Sequence, residues 1–257
     1  MMVSLNREVD KIKTMASQNN RVALITGAAK GLGKEIGRQL GAIGYTVILA
    51  ARNEEAGKAA AAELVGEGCD ARTFRLDVTS PDDIARLSTY LETNFGRLDA
   101  LVNNAGIGIE WDGQPTDTDK VRRTLEVNLI APYAITEALV PLLSRSSDAR
   151  VINHSSMLGS IATAESNWEE VGNFMAVGYS TSKAGLNMLT VIQSKMLANN
   201  GIAVAAAHPG WVKTDLGTQA APMEVDEGAR TVVGLLTIAR EDFPHGQLCH
   251  KGERMPW

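Results

Sequence analysis

The segment YSTSK places Tyr179 four residues before Lys183, in a stretch with the amphipathic pattern of a helix. Residues four apart lie on one face of an α-helix, so the phenol and the ammonium can be neighbours. A free tyrosine has a pKa of about 10 and donates protons slowly at neutral pH, and a nearby ammonium lowers that pKa by stabilising the phenolate. The pair is therefore a candidate general acid with its tuning cation, against the alternative of a packed tyrosine and a surface lysine.

Two serines, Ser155 and Ser156, follow the apolar run at 149–154. Ligand crevices of open α/β sheets lie at the carboxyl ends of the strands, where a serine can donate to a substrate oxygen that gains negative charge. The residues alone do not choose between the two serines. His154 invites a hydrolase interpretation, but NHSSML lacks the glycines of a G-x-S-x-G turn, so His154 is predicted to be a packed or strand-edge residue.

The segment TGAAKGLG, residues 26–33, lies between a predicted strand and a predicted helix. Glycines in such a turn let a pyrophosphate approach the backbone, and the N-terminus of the helix then faces its negative charge. The strand before and the helix after favour dinucleotide binding over a plain turn. The residues predicted to contact the cofactor here are Gly27, Lys30, Gly31, Leu32 and Gly33.

The end of the second predicted strand, LAARN, indicates which dinucleotide is bound. Folds that prefer NAD carry a carboxylate there for the ribose 2′-hydroxyl, whereas this sequence has Ala51 and Arg52. The missing acid removes repulsion of a 2′-phosphate, and the Arg52 guanidinium can bind that group. Lys30 offers a second cation, although both residues can also be solvated surface charges. The sequence therefore predicts NADP(H).

These residues belong to a regular alternation of short apolar runs and amphipathic stretches of helical length. The predicted strands are 21–27, 45–52, 71–78, 98–106, 149–156 and 202–210, and the predicted helices include 33–43, 54–65 and 181–198. This alternation predicts an α/β fold with a single Rossmann-type doubly wound parallel sheet and helices on both faces. Because no linker interrupts the pattern, we expect one catalytic domain over 21–257 after a polar N-terminal extension at 1–20.

Composition narrows the functional classes. The 257 residues are 44% hydrophobic and 21% charged, as in ordinary globular proteins, and the net charge of −5 disfavours a nucleic-acid partner. Cys69 and Cys249 cannot form a disulfide framework, and no metal-ligand cluster is visible, so we expect no metal and a cytoplasmic location. The N-terminus lacks a signal-peptide core, and no membrane partner is expected.

Seven segments in order resemble the short-chain dehydrogenase/reductase family, from about residue 21 to the C-terminus. They are TGAAKGLG, LDV (76–78), NNAG (103–106), EVNLIAP, INHSSMLG, YSTSK and HPGWVKTD (208–215). Within the family, PGWVKTD and the tail FPHGQLCHKGERMPW resemble the NADPH-dependent carbonyl reductases. The interval from Ser156 to Tyr179 is wider than in common tetrameric members and shorter than the insertion of animal carbonyl reductases.

The resemblance implies a catalytic tetrad of Asn128, Ser156, Tyr179 and Lys183, and it selects Ser156 over Ser155. In that family pattern, Tyr179 is the acid and Lys183 also holds the nicotinamide ribose. The asparagine is thought to anchor a water molecule that connects Lys183 to solvent.

Further cofactor contacts follow from the same resemblance. They are Asp77 and Val78 at the adenine, Asn104 on the adenosine side, Tyr179 and Lys183 at the nicotinamide ribose, and Val212 and Thr214 at the carboxamide. For Asp77 the alternative is a simple cap at the end of a strand.

The expected function is reversible NADPH-dependent reduction of an aldehyde or ketone to an alcohol. The loops at 108–119, 159–178 and 213–228 are expected to surround the carbonyl, and they carry few charges other than acids, which favours a neutral, hydrophobic substrate. Their candidate apolar walls are Trp111, Met157, Trp168, Phe174, Met175 and Trp211. The alternatives are a cofactor-sensing regulatory protein of the same fold and a 3-ketoacyl reductase, and a monomer and a homo-oligomer are both open.

Overall fold

The computed structural model of the protein describes residues 21–257, so the predicted extension at 1–20 lies outside the described residues. Within 21–257, one sheet contains β1 (Val22–Thr26), β2 (Thr46–Ala51), β3 (Ala71–Arg75), β4 (Ala100–Asn103), β5 (Ala149–His154), β6 (Ile202–Ala207), β7 (Leu248–His250) and β8 (Glu253–Met255). The order is β3-β2-β1-β4-β5-β6-β7-β8, and only β7 and β8 pair antiparallel. This order confirms the predicted doubly wound α/β fold of Rossmann type.

Helices connect the strands. The α-helices of the described chain are α1 (Gly31–Ala42), α2 (Glu54–Gly66), α3 (Pro81–Phe95), α4 (Thr118–Leu125), α5 (Ala131–Leu143), α6 (Ile161–Ser166), α7 (Trp168–Val171), α8 (Val177–Met196) and α9 (Val225–Thr237). A π-helical turn, Glu126–Ile130, joins α4 to α5. Short 3₁₀ turns lie at Met157–Gly159, Gly172–Phe174, Ala198–Asn200 and Arg240–Asp242.

The central strands are buried on both faces, which explains their continuous apolar sequences. On one face, Ile36 of α1, Leu64 of α2 and Val232 of α9 share a core with the sheet. On the other face, Leu87 of α3 and Leu139 of α5 pack against it. Helices therefore cover both faces of the sheet, as the alternating sequence pattern predicted.

Some helix N-termini in the described chain are capped by a side chain and others are not. The side chains of Asn53, Ser80 and Asp117 cap α2, α3 and α4 by accepting backbone N–H groups of the first turn. In contrast, α1 and α8, which begin at the predicted site, start after Lys30 and Ala176 without such a cap. The first N–H groups of these two helices therefore need partners from elsewhere.

Two departures from the sequence-based elements have local causes. The strands β7 and β8 were not predicted, because three residues each are too few to show an alternating pattern. Helix α8 begins at Val177 rather than at Thr181. Tyr179 consequently lies in the first turn of α8, and Lys183 lies one turn further along it.

One continuous helical stretch in the described chain, Thr118–Leu143, is long and apolar enough to cross a membrane by length and composition alone, because an 18-residue window within it has a mean hydropathy of 1.2. It comprises α4, the π-helical turn and α5, and it connects β4 to β5. Ile135, Leu139 and Leu143 on this stretch are buried in the domain. This packing is that of a crossover helix beside the sheet.

Candidate active site

Tyr179 and Lys183 lie at the carboxyl end of β5 and are 8% and 5% exposed. The Lys183 Nζ atom is 5.6 Å from the centroid of the Tyr179 ring and donates a hydrogen bond to the His154 carbonyl oxygen at 2.7 Å. The structure therefore brings the two residues of the YSTSK segment together on one helix face beside the fifth strand.

The two side chains have shifted pKa values. Burial raises the pKa of Tyr179 to about 12, while a hydrogen bond with Ser156 acts in the opposite direction. Burial lowers the pKa of Lys183 to about 8. The expected lowering of the tyrosine pKa is not seen, because burial is the largest effect on the phenol. Tyr179 is consequently protonated at neutral pH, the form that a proton donor requires.

The two serines of NHSSML have different surroundings. The Ser155 hydroxyl is buried against α8, where it donates to Asn187 Oδ1 at 2.5 Å. The Ser156 hydroxyl accepts a hydrogen bond from the Leu158 backbone N–H at 3.1 Å and bonds to Tyr179. Ser156 is therefore the serine beside the phenol, in agreement with the family register.

Asn128 lies in the π-helical turn and is fully buried. Its side chain pairs with the Ile107 backbone, accepting the N–H and donating to the carbonyl, each at 2.8 Å, and it also donates to Ser182 at 3.1 Å. A Cβ atom placed on Gly106 would lie 3.4 Å from Asn128 Oδ1 and 3.7 Å from Lys183 Nζ. The asparagine thus holds the β4–α4 loop and lies on the same side of Gly106 as the lysine ammonium.

The glycine loop has the shape that a dinucleotide needs. Gly27 and Gly31 have φ values of +65° and +55°, in the left-handed region that favours glycine. A Cβ atom on Gly33 would lie 2.6 Å from Asn104 Nδ2, so the helix can approach the strand only without a side chain there. The first turn of α1 contains no acidic residue, and its N–H groups face the loop without a side-chain cap. These features fit a bound pyrophosphate.

The predicted phosphate-binding cations differ in their surroundings. Arg52 is exposed at the end of β2, next to the glycine loop through the hydrogen bond from Ala28 to the Ala50 carbonyl. It forms no hydrogen bond or ion pair within residues 21–257, so its guanidinium donors are available. Lys30 is also exposed but forms an ion pair with Asp215 on the opposite side of the loop.

Three further predicted cofactor residues, Asp77, Val78 and Leu32, have contacts within the domain. Asp77 accepts hydrogen bonds from the Thr79 backbone and hydroxyl, which lower its pKa, and the charge of Arg52 lowers it further. The carboxylate therefore makes the strand-end cap that the sequence left as an alternative. Val78 is half-buried next to it, and Leu32 is partly buried against α9.

The segment after β6 lies against the glycine loop. A Cβ atom on Gly31 would lie 3.5 Å from the Thr214 methyl group, and Val212 is buried against Gly228 of α9. The structure therefore places Thr214 against the glycine loop and Val212 against α9.

Two histidines of the described chain, His154 and His208, are buried. His154 Nδ1 is 2.9 Å from Asn104 Oδ1, and Asn104 in turn donates to the carbonyls of Thr26 and Gly27 at 2.8 and 3.2 Å. Because the asparagine oxygen is the acceptor, His154 carries its proton on Nδ1. These hydrogen bonds link His154, the last residue of β5, to the glycine loop. His208 is also buried, and within residues 21–257 no group of His, Cys, Asp and Glu side chains is arranged to hold a metal ion.

Comparison with known proteins identifies this arrangement. The sequence profile of the short chain dehydrogenase family matches residues 21–225. The chain belongs to the short-chain dehydrogenase family. It is 31% identical to (+)-neomenthol dehydrogenase of Arabidopsis thaliana, covering 90% of this chain and 96% of the relative, and 32% identical to carbonyl reductase (NADPH) 3 of Rattus norvegicus, covering 94% and 100%. The structure of the NADPH-bound carbonyl reductase from chicken fatty liver has a TM-score of 0.80 at 28% identity, covering 92% of this chain and 99% of that one. The protein is an oxidoreductase of this family.

In this short-chain dehydrogenase, three of the predicted wall residues belong to two aromatic pairs. The Trp111 and Tyr179 ring centroids are 5.0 Å apart, and those of Phe174 and Trp211 are 5.5 Å apart. Of these aromatic side chains, Trp111, Phe174 and Trp211 are between 44% and 47% exposed. Trp168 is 60% exposed and packs on Gly172, while Met157 and Met175 are half-buried.

The wide interval before Tyr179 consists of short helical pieces, α6 and α7 with their flanking 3₁₀ turns. The carbonyl oxygen of the last residue, Trp257, accepts a hydrogen bond from the Ala162 N–H of α6 at 2.8 Å. The C-terminal tail therefore supports the segment that the sequence placed over the substrate.

We predict that the two buried histidines of this short-chain dehydrogenase make its fold sensitive to acid. Burial lowers the pKa of both His154 and His208 to about 3. Between about pH 6.5 and pH 3 the unfolded chain binds protons that the folded chain does not. As the pH is lowered through this range, each histidine reduces the free energy of unfolding by up to about 1.4 kcal/mol per pH unit. Urea unfolding at pH 7 and pH 5 measures this loss, and His208→Leu should show a smaller loss than the wild type. Identical pH dependence in both proteins would contradict the assignment.

Proposed function

We propose that this chain uses NADPH to reduce a neutral aldehyde or ketone to an alcohol, in a single catalytic domain over residues 21–257. The observation that carries the proposal is the placement of Ser156, Tyr179 and Lys183 together at the carboxyl end of β5, beside the glycine loop. A binding protein needs the loop, but it has no use for a buried phenol held between a hydroxyl and an ammonium.

NADPH is the cofactor that the cleft fits best. The second strand ends without a carboxylate, and the exposed Arg52 has donors available for a 2′-phosphate. The rat relative and the chicken structure are both described as NADPH carbonyl reductases, which supports the same cofactor here. When bound, NADPH supplies the hydride, and the protein supplies position, charge and the proton.

The proposed roles of the protein groups follow from their contacts. Ser156 donates a hydrogen bond to the substrate oxygen and orients it toward the phenol. Tyr179, protonated at neutral pH, gives its proton to that oxygen as the alcohol forms. The Lys183 ammonium stabilises the phenolate that remains.

The proton must then be replaced. Lys183 lies near Asn128, which is fixed by the Ile107 backbone, with Gly106 leaving room between the polar groups. We propose that this room forms the route by which a proton returns from solvent to Lys183 and Tyr179, with Asn128 as its fixed acceptor.

The proposed substrate is neutral and hydrophobic. Trp111 offers exposed aromatic surface beside Tyr179, and Phe174 and Trp211 form a second exposed aromatic pair, a composition suited to an apolar body with one polar carbonyl. Lys213, a cation near this wall, is paired with Glu224, which reduces its attraction for an anionic thioester.

The direct test is NADPH oxidation at 340 nm with a panel of neutral aldehydes and ketones, and with a β-ketoacyl thioester. We expect turnover of apolar neutral carbonyls and a much lower kcat/KM for the thioester. NADPH binding without turnover of any carbonyl would favour a cofactor-sensing protein. A far higher kcat/KM for the thioester would favour the ketoacyl reductase.

We predict that Arg52 determines the preference for NADPH over NADH. Arg52→Asp removes one or two charge-assisted hydrogen bonds and adds repulsion, so KM for NADPH should rise about 10-fold to 100-fold while NADH is used better. Steady-state kinetics with both cofactors measures the change. Arg72→Asp, at an exposed arginine of β3, changes the net charge equally and should leave both KM values unaltered. Equal or better use of NADH by the wild-type protein would refute the preference.

A further inference from the structure

The carboxylate of Glu110 occupies an unusual place next to Tyr179. Glu110 belongs to the β4–α4 loop and is 8% exposed. Its Oε1 accepts the Gly178 N–H at 2.9 Å, and its Oε2 accepts the Tyr179 N–H at 2.7 Å. Both carboxylate oxygens are thus used on consecutive backbone donors at the start of α8.

These contacts provide hydrogen-bond acceptors for the first N–H groups of α8, which have no capping side chain. The helix starts after Ala176 without a side-chain cap and has no acidic residue in its first turn. The first N–H groups of a helix have no intrahelical partners, and a negative charge there interacts favourably with the helix dipole. Glu110 supplies both from a loop 68 residues earlier in the chain.

The neighbouring residue contacts the ring of the same tyrosine. The Trp111 indole lies 5.0 Å from the Tyr179 ring at an interplanar angle of 58°. A Cβ atom on Gly108 would lie 2.5 Å from that indole, so the glycine lets Trp111 fold back toward the site. Two consecutive loop residues therefore contact Tyr179. The Glu110 carboxylate binds the backbone N–H of Tyr179, and the Trp111 indole packs on the Tyr179 ring.

The fit around the carboxylate is close. A Cβ atom on Gly178 would lie 2.9 Å from Glu110 Oε2 and 3.0 Å from Val121 Cα. A side chain at position 178 would thus have to displace Glu110 or α4, and glycine is required for the contact rather than for its backbone angle.

We propose that Glu110 is a positioning residue for Tyr179, whose carboxylate fixes the first turn of α8 so that the phenol points toward Ser156. This role rests on the proposed function, in which Tyr179 donates the proton. Glu110 does not touch the reacting atoms in this role. It acts through the backbone of Tyr179 and, with Trp111, through the orientation of its ring.

The first test replaces the carboxylate. Glu110→Gln keeps the volume and one acceptor oxygen, whereas Glu110→Ala leaves both N–H groups without this partner. Because small displacements of a catalytic group can cost about 100-fold in rate, we expect kcat to fall about tenfold in the first variant and up to about 100-fold in the second. KM and the dissociation constant for NADPH should stay unchanged, since the glycine loop is untouched.

The second test uses Gly178→Ala, which separates positioning from helix stability. Alanine is the better helix former, so a merely structural view predicts a stabilised helix and unchanged kcat. Displacement of Glu110 by the added methyl group predicts a lower kcat instead. Gly234→Ala in α9, where no atom beyond the adjacent residues and the helix backbone lies within 4 Å of the added carbon, is the matched control and should keep wild-type kcat.

Amide hydrogen exchange gives a readout that does not depend on turnover. The amides of Gly178 and Tyr179 should exchange faster in both Glu110 variants and in Gly178→Ala, while amides in the middle of α8 stay protected. Asp99→Asn is the control for loss of a buried carboxylate, because Asp99 accepts the Val22 N–H at 2.8 Å at the opposite edge of the sheet. It should lower stability without changing kcat or these two amides.

The outcomes separate the two claims. Unchanged exchange at Gly178 and Tyr179 in Glu110→Gln, or wild-type kcat in both Glu110→Gln and Gly178→Ala, would overturn the role of Glu110. A wild-type protein that binds NADPH but reduces no carbonyl would overturn the proposed function, even if the exchange data still reveal the contact of Glu110 with α8.

Discussion

Replacing Tyr179 by phenylalanine should lower kcat for carbonyl reduction on the order of 10³-fold, because it removes the proposed proton donor and little else. The ring remains to pack against Trp111, and Glu110 still accepts the two backbone N–H groups. The Ser156 hydroxyl loses its phenol partner but keeps the N–H of Leu158. The substitution thus removes one oxygen atom from the site.

The loss should appear in the chemical step. Single-turnover kinetics at saturating NADPH should show the slow step, and fluorescence titration should give a nearly unchanged dissociation constant for NADPH. Tyr45→Phe is a matched control, because Tyr45 is a 2% exposed tyrosine whose hydroxyl donates to the Leu236 carbonyl far from the site. It should cost about 1 kcal/mol of stability and leave kcat intact. Near wild-type kcat in the Tyr179 variant would remove Tyr179 from the mechanism.

Much of the fold was predictable because it is encoded locally. The buried parallel strands are continuous apolar runs, and the order of strands and helices along the chain determines a doubly wound sheet. The last two strands were missed because β7 and β8 have three residues each and carry no alternation. Their pairing depends on contact with β6, which local sequence does not record.

Some features of the candidate site were likewise visible in the sequence, and others were not. Tyr179 and Lys183 were candidates from their spacing, but only the family resemblance chose them over a packed tyrosine and a surface lysine, whereas the glycine loop was indicated by its position between a strand and a helix. The choice of Ser156 over Ser155 needed the family register. The structure gives the physical difference, because the Ser155 hydroxyl donates a hydrogen bond to Asn187 whereas Ser156 bonds to Tyr179. The tyrosine pKa was expected to fall, but the degree of burial that raises it is a property of the folded packing.

Glu110 and His154 could not have been assigned from the sequence. The partners of Glu110 are backbone N–H groups, which are present in every residue except proline and leave no sequence signal. The sequence showed that the charged residues of its loop are acids, but this composition indicated only that the substrate is neutral. The partner of His154 is Asn104, a residue expected to serve the cofactor, and their pairing depends on the parallel register of β4 and β5.

Replacement of Lys183 by methionine should lower kcat about 100-fold and remove a step from the pH profile. The ammonium is 5.6 Å from the centre of the Tyr179 ring. At an effective dielectric constant of about 20, a unit charge at that distance stabilises a phenolate by roughly 3 kcal/mol, which corresponds to a factor of about 100 in rate. Methionine keeps the length and the apolar packing of the side chain but cannot supply the charge.

The pH dependence follows from the directions of the two shifts. Carbonyl reduction requires Tyr179 protonated, which holds below about pH 12, and Lys183 charged, which holds below about pH 8. The wild-type kcat/KM for reduction should therefore fall as the pH rises through about 8, and the descending limb belongs to the lysine. The methionine variant should lack this limb, whereas Lys195→Met, at an exposed lysine on the same helix, should retain both the rate and the limb. A wild-type profile that stays level to pH 10, or a methionine variant that keeps the limb, would show that another group controls the proton.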